Sequence, residues 1–236
     1  MSVFGLTEVI DAVALQAREG RLGIVVLDLD STAIDTRPRQ HRILRDFAAG
    51  HGDLQLSELV EQIPEAELGY RIEAPLERRG YTDAASLAAL HAFWGACFFT
   101  DAYCVHDRAN PGAAAFARRV FGAGGLVYYL TGRPEQMAQG TLQVLCREGF
   151  PILSGRAVLH MKPDVGLGDH GFKRGAMKEI GRLGGRVVAT FENEPAHAAA
   201  FLEAFPRAVH FLVGDIRSPQ APEPHPGLVA IPSFHG

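Results

Sequence analysis

Residues 24–32 read Ile-Val-Val-Leu-Asp-Leu-Asp-Ser-Thr, an aliphatic run that stops at two aspartates one residue apart. Ile24 to Leu27 suit a central strand buried on both faces. Side chains alternate along a strand, so positions i and i+2 face the same way. Asp28 and Asp30 are therefore expected side by side at the end of that strand. Two like charges that close need a cation, a shared proton or a substrate between them. The pair is a site candidate before any other residue is read.

The rest of the chain alternates in the same sense. Thr7 to Glu19 has helical periodicity and stops at Gly20. Further strands are expected at Leu126–Leu130, near Ala157–His160, at Arg186–Phe191, Ala208–Val213 and Leu228–Pro232. Helices are expected between them, at about 112–121, 134–148, 173–183 and 196–204. Strands alternating with helices imply an α/β fold, a Rossmann-like doubly wound parallel sheet with helices on both faces. From about 36 to 100 the texture turns polar and helical, with the best helices at Leu56–Glu67 and Asp83–Phe99. That stretch is too long for a simple crossover. It reads as an inserted helical cap subdomain, residues 36–104, in an α/β core made of 1–35 and 105–236.

The chain of 236 residues is 47% hydrophobic and 21% charged, an ordinary globular composition. A net charge of −4 argues against a nucleic-acid partner. No apolar stretch is long enough to span a bilayer, and the first residues lack the basic start and apolar segment of a secretory signal. Three cysteines, Cys97, Cys104 and Cys146, have no CxxC spacing. Reduced thiols in a cytoplasmic protein are the expectation, with no membrane partner.

Three further elements fall at strand ends or helix starts on the same expected edge. Tyr128–Pro134 reads Tyr-Tyr-Leu-Thr-Gly-Arg-Pro. The Thr131 hydroxyl and neighbouring amides suit an anion, and Gly132 lets the backbone approach it closely. Lys173 stands just ahead of a helix, in His-Gly-Phe-Lys-Arg-Gly. Phe-Glu-Asn-Glu-Pro at 191–195 ends another strand in carboxylates, Glu192 and Glu194.

In this order and context the four elements resemble the haloacid dehalogenase-like hydrolase superfamily, chiefly its phosphatases. Asp28, Asp30 and Thr32 match an Asp-x-Asp-x-Thr motif after a strand, and Thr131 matches a strand ending in Thr or Ser. Lys173 matches the lone lysine, with Arg174 a weaker neighbour. Glu192 and Glu194 match the acidic cluster, although aspartate is usual there. The resemblance spans Ile24 to about Pro195. It implies Mg2+-dependent hydrolysis of a small phosphomonoester, a phosphorylated metabolite, through an aspartyl-phosphate. Asp28 would be the nucleophile and Asp30 the acid–base. Lys173 would be catalytic and, with Thr131 and Gly132, substrate-binding. The metal would be held by Asp28, Asp30 (through its carbonyl) and Glu192 or Glu194.

Each element also has a plain structural reading. Aspartates cap turns, surface lysines are common, and first-turn acids favour a helix N-terminus. Arg37 and Arg39 begin the cap and either meet a distal anion of the substrate or stay solvated. Trp94, spaced with Leu90 and Phe98, reads as cap core, and His160 and His197 as structural or surface residues near the site edge. Two rivals to hydrolysis stand: a phosphomutase, and a phosphate-ligand binding or regulatory module with little turnover.

Overall fold

The computed structural model describes residues 5–235; the first four residues of the N-terminal reading lie outside them. Helix α1 (Leu6–Arg18) leads into β1 (Gly23–Leu27), every residue of which is buried. Then come β2 (Ile34–Asp35), α2 (Arg37–His51), α3 (Leu54–Glu61), α4 (Ala74–Arg78), α5 (Ala84–Phe98), α6 (Asp101–Cys104) and β3 (Arg108–Ala109). The α/β alternation resumes with α7 (Ala113–Gly122), β4 (Leu126–Pro134), α8 (Ala138–Arg147), β5 (Ala157–Lys162) and α9 (Asp169–Gly181). It ends with β6 (Arg186–Glu192), α10 (Pro195–Ala204), β7 (Val209–Val213) and β8 (Val229–Ile231).

Six strands form one parallel sheet in the order β5-β4-β1-β6-β7-β8. From β1 the chain first winds outward through β4 and β5, then returns to β6 on the other side of β1 and continues outward. This is the doubly wound order, and its reversal lies between β1 and β6. Ligand sites in such sheets form outside the carboxyl ends of the strands at that reversal. Asp28 and Glu192 stand at the ends of β1 and β6.

The sheet is held by two apolar layers. One side gathers Val25, Leu27, Phe116, Tyr129, Phe191 and Phe211 with α1 and α7. The other packs Ile24, Val26 and Leu130 against Phe172, Ile180 and Phe201 of α9 and α10. A third cluster, built on Ile43, Leu44, Leu56, Val60, Leu76 and Leu90, is the cap's own core. The cap enters and leaves through β2 and β3, which pair antiparallel as a two-residue ribbon. Its last helix, α6, leans on the sheet domain instead: Asp101 accepts from the Gly140 amide at 2.6 Å, and Cys104 belongs to the sheet's core.

Three local readings are corrected. The expected helix at 56–67 ends at Glu61, because Pro64 restarts the chain as a single 3-10 turn over Glu65–Glu67. Helix α9 begins at Asp169, so Lys173 lies inside it rather than ahead of it. The strand ends at Leu27, so Asp28 and Asp30 do not continue its alternation. After Asp30 the chain turns through Ser31 at φ 59°, a left-handed conformation for a residue with a Cβ.

Phe191, on the strand that carries Glu192, stacks on Phe211 at 4.6 Å and meets Phe116 and Phe234 edge-on or tilted. Phe191→Ala is expected to lower unfolding free energy by about 3–5 kcal/mol, measured by urea titration. A cost below about 1 kcal/mol would mean that this aromatic layer does not support the strand.

Candidate active site

Asp28 is buried at the end of β1, its amide bonded to the Phe191 carbonyl of β6 at 3.0 Å. Its Oδ1 accepts from Lys173 Nζ at 2.8 Å, and the same ammonium reaches Glu192 Oε2 at 2.6 Å. Lys173 thus bridges the two strand ends at the sheet's reversal. Glu192 Oε1 accepts from the Asn193 and Glu194 amides, at 3.1 and 3.2 Å. Thr32 donates to Asn193 Oδ1 at 3.3 Å, tying the loop after β1 to the loop after β6.

These charges perturb one another. Burial, followed by the Glu192 charge, pushes the Asp28 carboxyl up to about 7 against the pull of Lys173. Lys173 is raised: the charges of Asp28 and Glu192 outweigh its burial. His197, in the first turn of α10, has Nδ1 3.8 Å from Glu192 Oε2 and no hydrogen-bond partner for that buried atom. Burial, then the Lys173 charge, lowers it to about 4, so it stays neutral.

Asp30 does not share the Asp28 cation. Its Oδ1 accepts from Arg133 Nη2 at 2.5 Å and Nε at 2.9 Å, and from Arg39 Nη2 at 3.0 Å. Both guanidiniums are fully buried, and both also bond Asp107, Arg39 at 2.7 and 2.8 Å and Arg133 at 2.6 Å. Burial pulls the Asp30 carboxyl upward, but Arg133 and then Arg39 outweigh it and hold it below the ordinary value. Asp107 is raised, because its burial outweighs the same arginines. Arg39 also donates to the Phe98 carbonyl and stacks over the Phe98 ring at 4.1 Å.

The phosphate-turn candidates sit beside this cluster. Thr131 is buried and its Oγ1 accepts from the Arg133 amide at 3.2 Å. A Cβ on Gly132 would meet Asp169 Oδ2 at 2.7 Å, so the close approach argued from sequence is present. Glu194 turns elsewhere: both its oxygens are taken by Ser218, from the amide at 2.7 Å and the hydroxyl at 3.0 Å. Of the six expected site side chains that carry a titratable or hydroxyl group, only Asp28, Lys173 and Glu192 bond one another.

Among the described residues no three carboxylate, histidine or cysteine side chains converge as a ready-made metal cage. The oxygen donors still suit a hard divalent ion. Among the described residues, Asp28 Oδ2 and the Asp30 carbonyl receive no protein hydrogen bond. Mg2+ needs few protein oxygens because it keeps several waters. Glu192 would join by releasing Lys173.

Of the other residues weighed in the sequence, Arg37 forms a fork with Asp35 at 2.7 and 2.8 Å, and Arg174 pairs with exposed Glu203. Trp94 packs at the edge of the cap core, and His160 bonds the Tyr128 hydroxyl at 2.6 Å. Sequence reasoning missed Arg133 and Asp107. Arg133 had a signal, since a charged residue follows Thr131-Gly132 at a strand end; Asp107 had none.

Among the described residues, no helix is long and apolar enough to cross a membrane. No protein-family model matches the chain, and no curated protein does. Solved structures do. A candidate phosphatase from Clostridium difficile superposes with a TM-score of 0.57 at 11% identity, over 89% of this chain and 94% of its own. The Mycobacterium tuberculosis Protein Tyrosine Kinase A gives a TM-score of 0.53 at 16% identity, over 89% and 93%. A candidate haloacid dehalogenase-like hydrolase from Bacteroides fragilis gives 0.47 at 15% identity, over 85% and 91%. The likeness is one of fold alone: the chain shares the α/β architecture of the Clostridium difficile candidate phosphatase.

Two outcomes follow from the charges. Asp107→Ala removes a carboxylate from beneath two buried guanidiniums and is expected to cost about 3–5 kcal/mol, read by denaturant titration. An unchanged midpoint would mean the cluster carries no structural weight. Asp28 titrates higher folded than unfolded, so its contribution to stability is full at acid pH and is lost as pH rises through about 7. In metal-free protein, Asp28→Asn should therefore flatten the fall in melting temperature between about pH 4 and pH 7. Parallel profiles for the two proteins would contradict the raised value.

Proposed function

We propose that the protein is a Mg2+-dependent phosphatase that hydrolyses a small phosphomonoester through an aspartyl-phosphate on Asp28. The observation that carries this reading is the Lys173 ammonium held between Asp28 and Glu192 at the sheet's reversal. An anionic nucleophile meets an anionic phosphate only where positive charge is built in, and phosphoryl transfer depends chiefly on such charge control and on positioning.

One carboxylate oxygen of Asp28 forms the new oxygen–phosphorus bond as the bond to the leaving oxygen breaks. Thr131 and the Gly132 amide hold phosphate oxygens, and Lys173 offsets charge on the nucleophile and the phosphoryl group. Asp28, the Asp30 carbonyl and Glu192 would hold Mg2+, which supplies further positive charge at the phosphoryl oxygens. Asp30 takes the acid–base role: it protonates the departing alkoxide, then accepts the proton of the water that attacks phosphorus and frees Asp28. Its arginine grip favours the carboxylate, which suits the second of these steps; the first asks Arg39 or Arg133 to loosen. Glu194, held by Ser218, orients the loop carrying Glu192.

A second reading is supported by that same grip. With Asp30 held by two arginines and Glu192 by Lys173, the chain is also arranged to bind a phosphate ligand with little turnover. Phosphomutase action differs only in the acceptor, and it is tested by the products formed.

A panel of phosphorylated metabolites assayed with Mg2+ is expected to reveal turnover that EDTA abolishes. Asp28→Asn should reduce kcat by at least about a thousandfold while the circular dichroism spectrum is kept. Near-full activity in this variant would overturn the nucleophile assignment, and tight phosphate binding without turnover in the native chain would favour the binding module.

A further inference from the structure

Lys162 ends β5 and is buried, its side chain only 6% exposed. Among the described residues its one charged partner is Asp169 in the first turn of α9, Nζ to Oδ1 at 2.5 Å. That partner is the exposed half of the pair: the Asp169 side chain is 49% exposed. A buried ammonium is costly unless its partner is secure, yet this one faces solvent through a single short carboxylate.

The position of that carboxylate gives the pair a meaning. Asp169 Oδ2 lies against Gly132, the glycine of the proposed phosphate turn, closer than any Cβ there would allow. The neighbouring His170 stacks on His197, which in turn approaches Glu192. From the cap, Tyr70 is exposed and its hydroxyl is raised by burial and then by the charges of Glu194 and Asp169. Asp169 therefore stands against the Gly132 turn, at the exposed edge of the candidate site.

Resting on the phosphatase reading, we propose that Lys162 is a second phosphate-binding cation of this site, covered in the ligand-free protein by Asp169 acting as an internal anion. An arriving phosphate dianion displaces Asp169 toward solvent and takes its place on Lys162. No bond is made or broken; one anion replaces another on the same ammonium. The device sets a threshold, because only a ligand that outcompetes the tethered carboxylate opens the cation, and a dianion does so better than a monoanion. Neutral or singly charged compounds of the same shape are excluded by it. Lys173 stays with Asp28, so the two lysines divide the work between nucleophile and ligand.

The experiment measures the affinity of inorganic phosphate for the full chain by isothermal titration calorimetry, in the native protein and in Asp169→Asn, Lys162→Met, the double variant and Asp28→Asn. Asn keeps an acceptor for Lys162 and removes the competing charge. Asp169→Asn is expected to tighten phosphate about three- to tenfold, and Lys162→Met to weaken it at least about tenfold. In the Lys162→Met background the Asp169 substitution should no longer tighten binding, which a merely structural role would not predict. Should Lys162→Met fail to fold, Lys162→Gln takes its place, and the tightening by exposed Asp169→Asn stands on its own. Native binding that neither Asp169→Asn nor the lysine variants alter overturns this proposal and leaves the phosphatase reading intact. Weaker binding in Asp169→Asn also overturns it, by making Asp169 a ligand-positioning group. No phosphate binding or turnover in any of the proteins overturns both.

Discussion

The lysine between Asp28 and Glu192 is the constraint on which the rest of this molecule depends. A doubly wound sheet brings the ends of β1 and β6 together at its reversal, and this sequence ends both strands in carboxylates. Desolvated like charges at that distance oppose folding unless a cation is placed between them. Lys173 is delivered there by α9, whose apolar face of Phe172, Ala176, Met177 and Ile180 is fixed on the sheet. The packing of one helix thus sets the electrostatics of the strand edge.

Asp30 meets the same problem through a different solution. Its counter-charges come from Arg133 at the end of β4 and Arg39 in the first turn of α2, with Asp107 balancing the second guanidinium. Arg39 is part of the cap, and Asp107 lies on the strand of chain by which the cap returns. The four charges therefore lock the base of the inserted helical segment to the loop after β1. Asp28 and Asp30, one residue apart in sequence, end in separate electrostatic environments: one raised toward neutrality, one held as an anion.

The sheet was legible because its strands are aliphatic runs closed by turn residues, and buried parallel strands leave that mark. Asp28 and Glu192 were legible because each closes such a strand; Lys173 was legible as a lone lysine in a helical stretch, although α9 begins four residues before it. Helix α2 escaped a periodicity reading for a physical reason: its buried face begins with Pro38, Arg39 and Gln40, which look like surface residues in sequence. Arg133 and Asp107 escaped because their meaning lies in each other and in Asp30, which is distant from Arg133 along the chain. The turning of Glu194 toward Ser218 is likewise set by a loop well downstream, which local pattern does not report. The division of Asp28 from Asp30 had no signal at all, since alternation on a strand assumes that the strand continues.

The central claim is that Asp28 forms a covalent phosphoryl intermediate. It is tested most directly by mixing the protein with Mg2+ and a turned-over phosphomonoester, quenching in acid within the first turnover, and mapping the adduct by peptide mass spectrometry. The account predicts a phosphoryl group on the peptide bearing Asp28, absent when Asp28 is replaced by Asn. Turnover with no adduct on that peptide, or with the adduct on another residue, would contradict it.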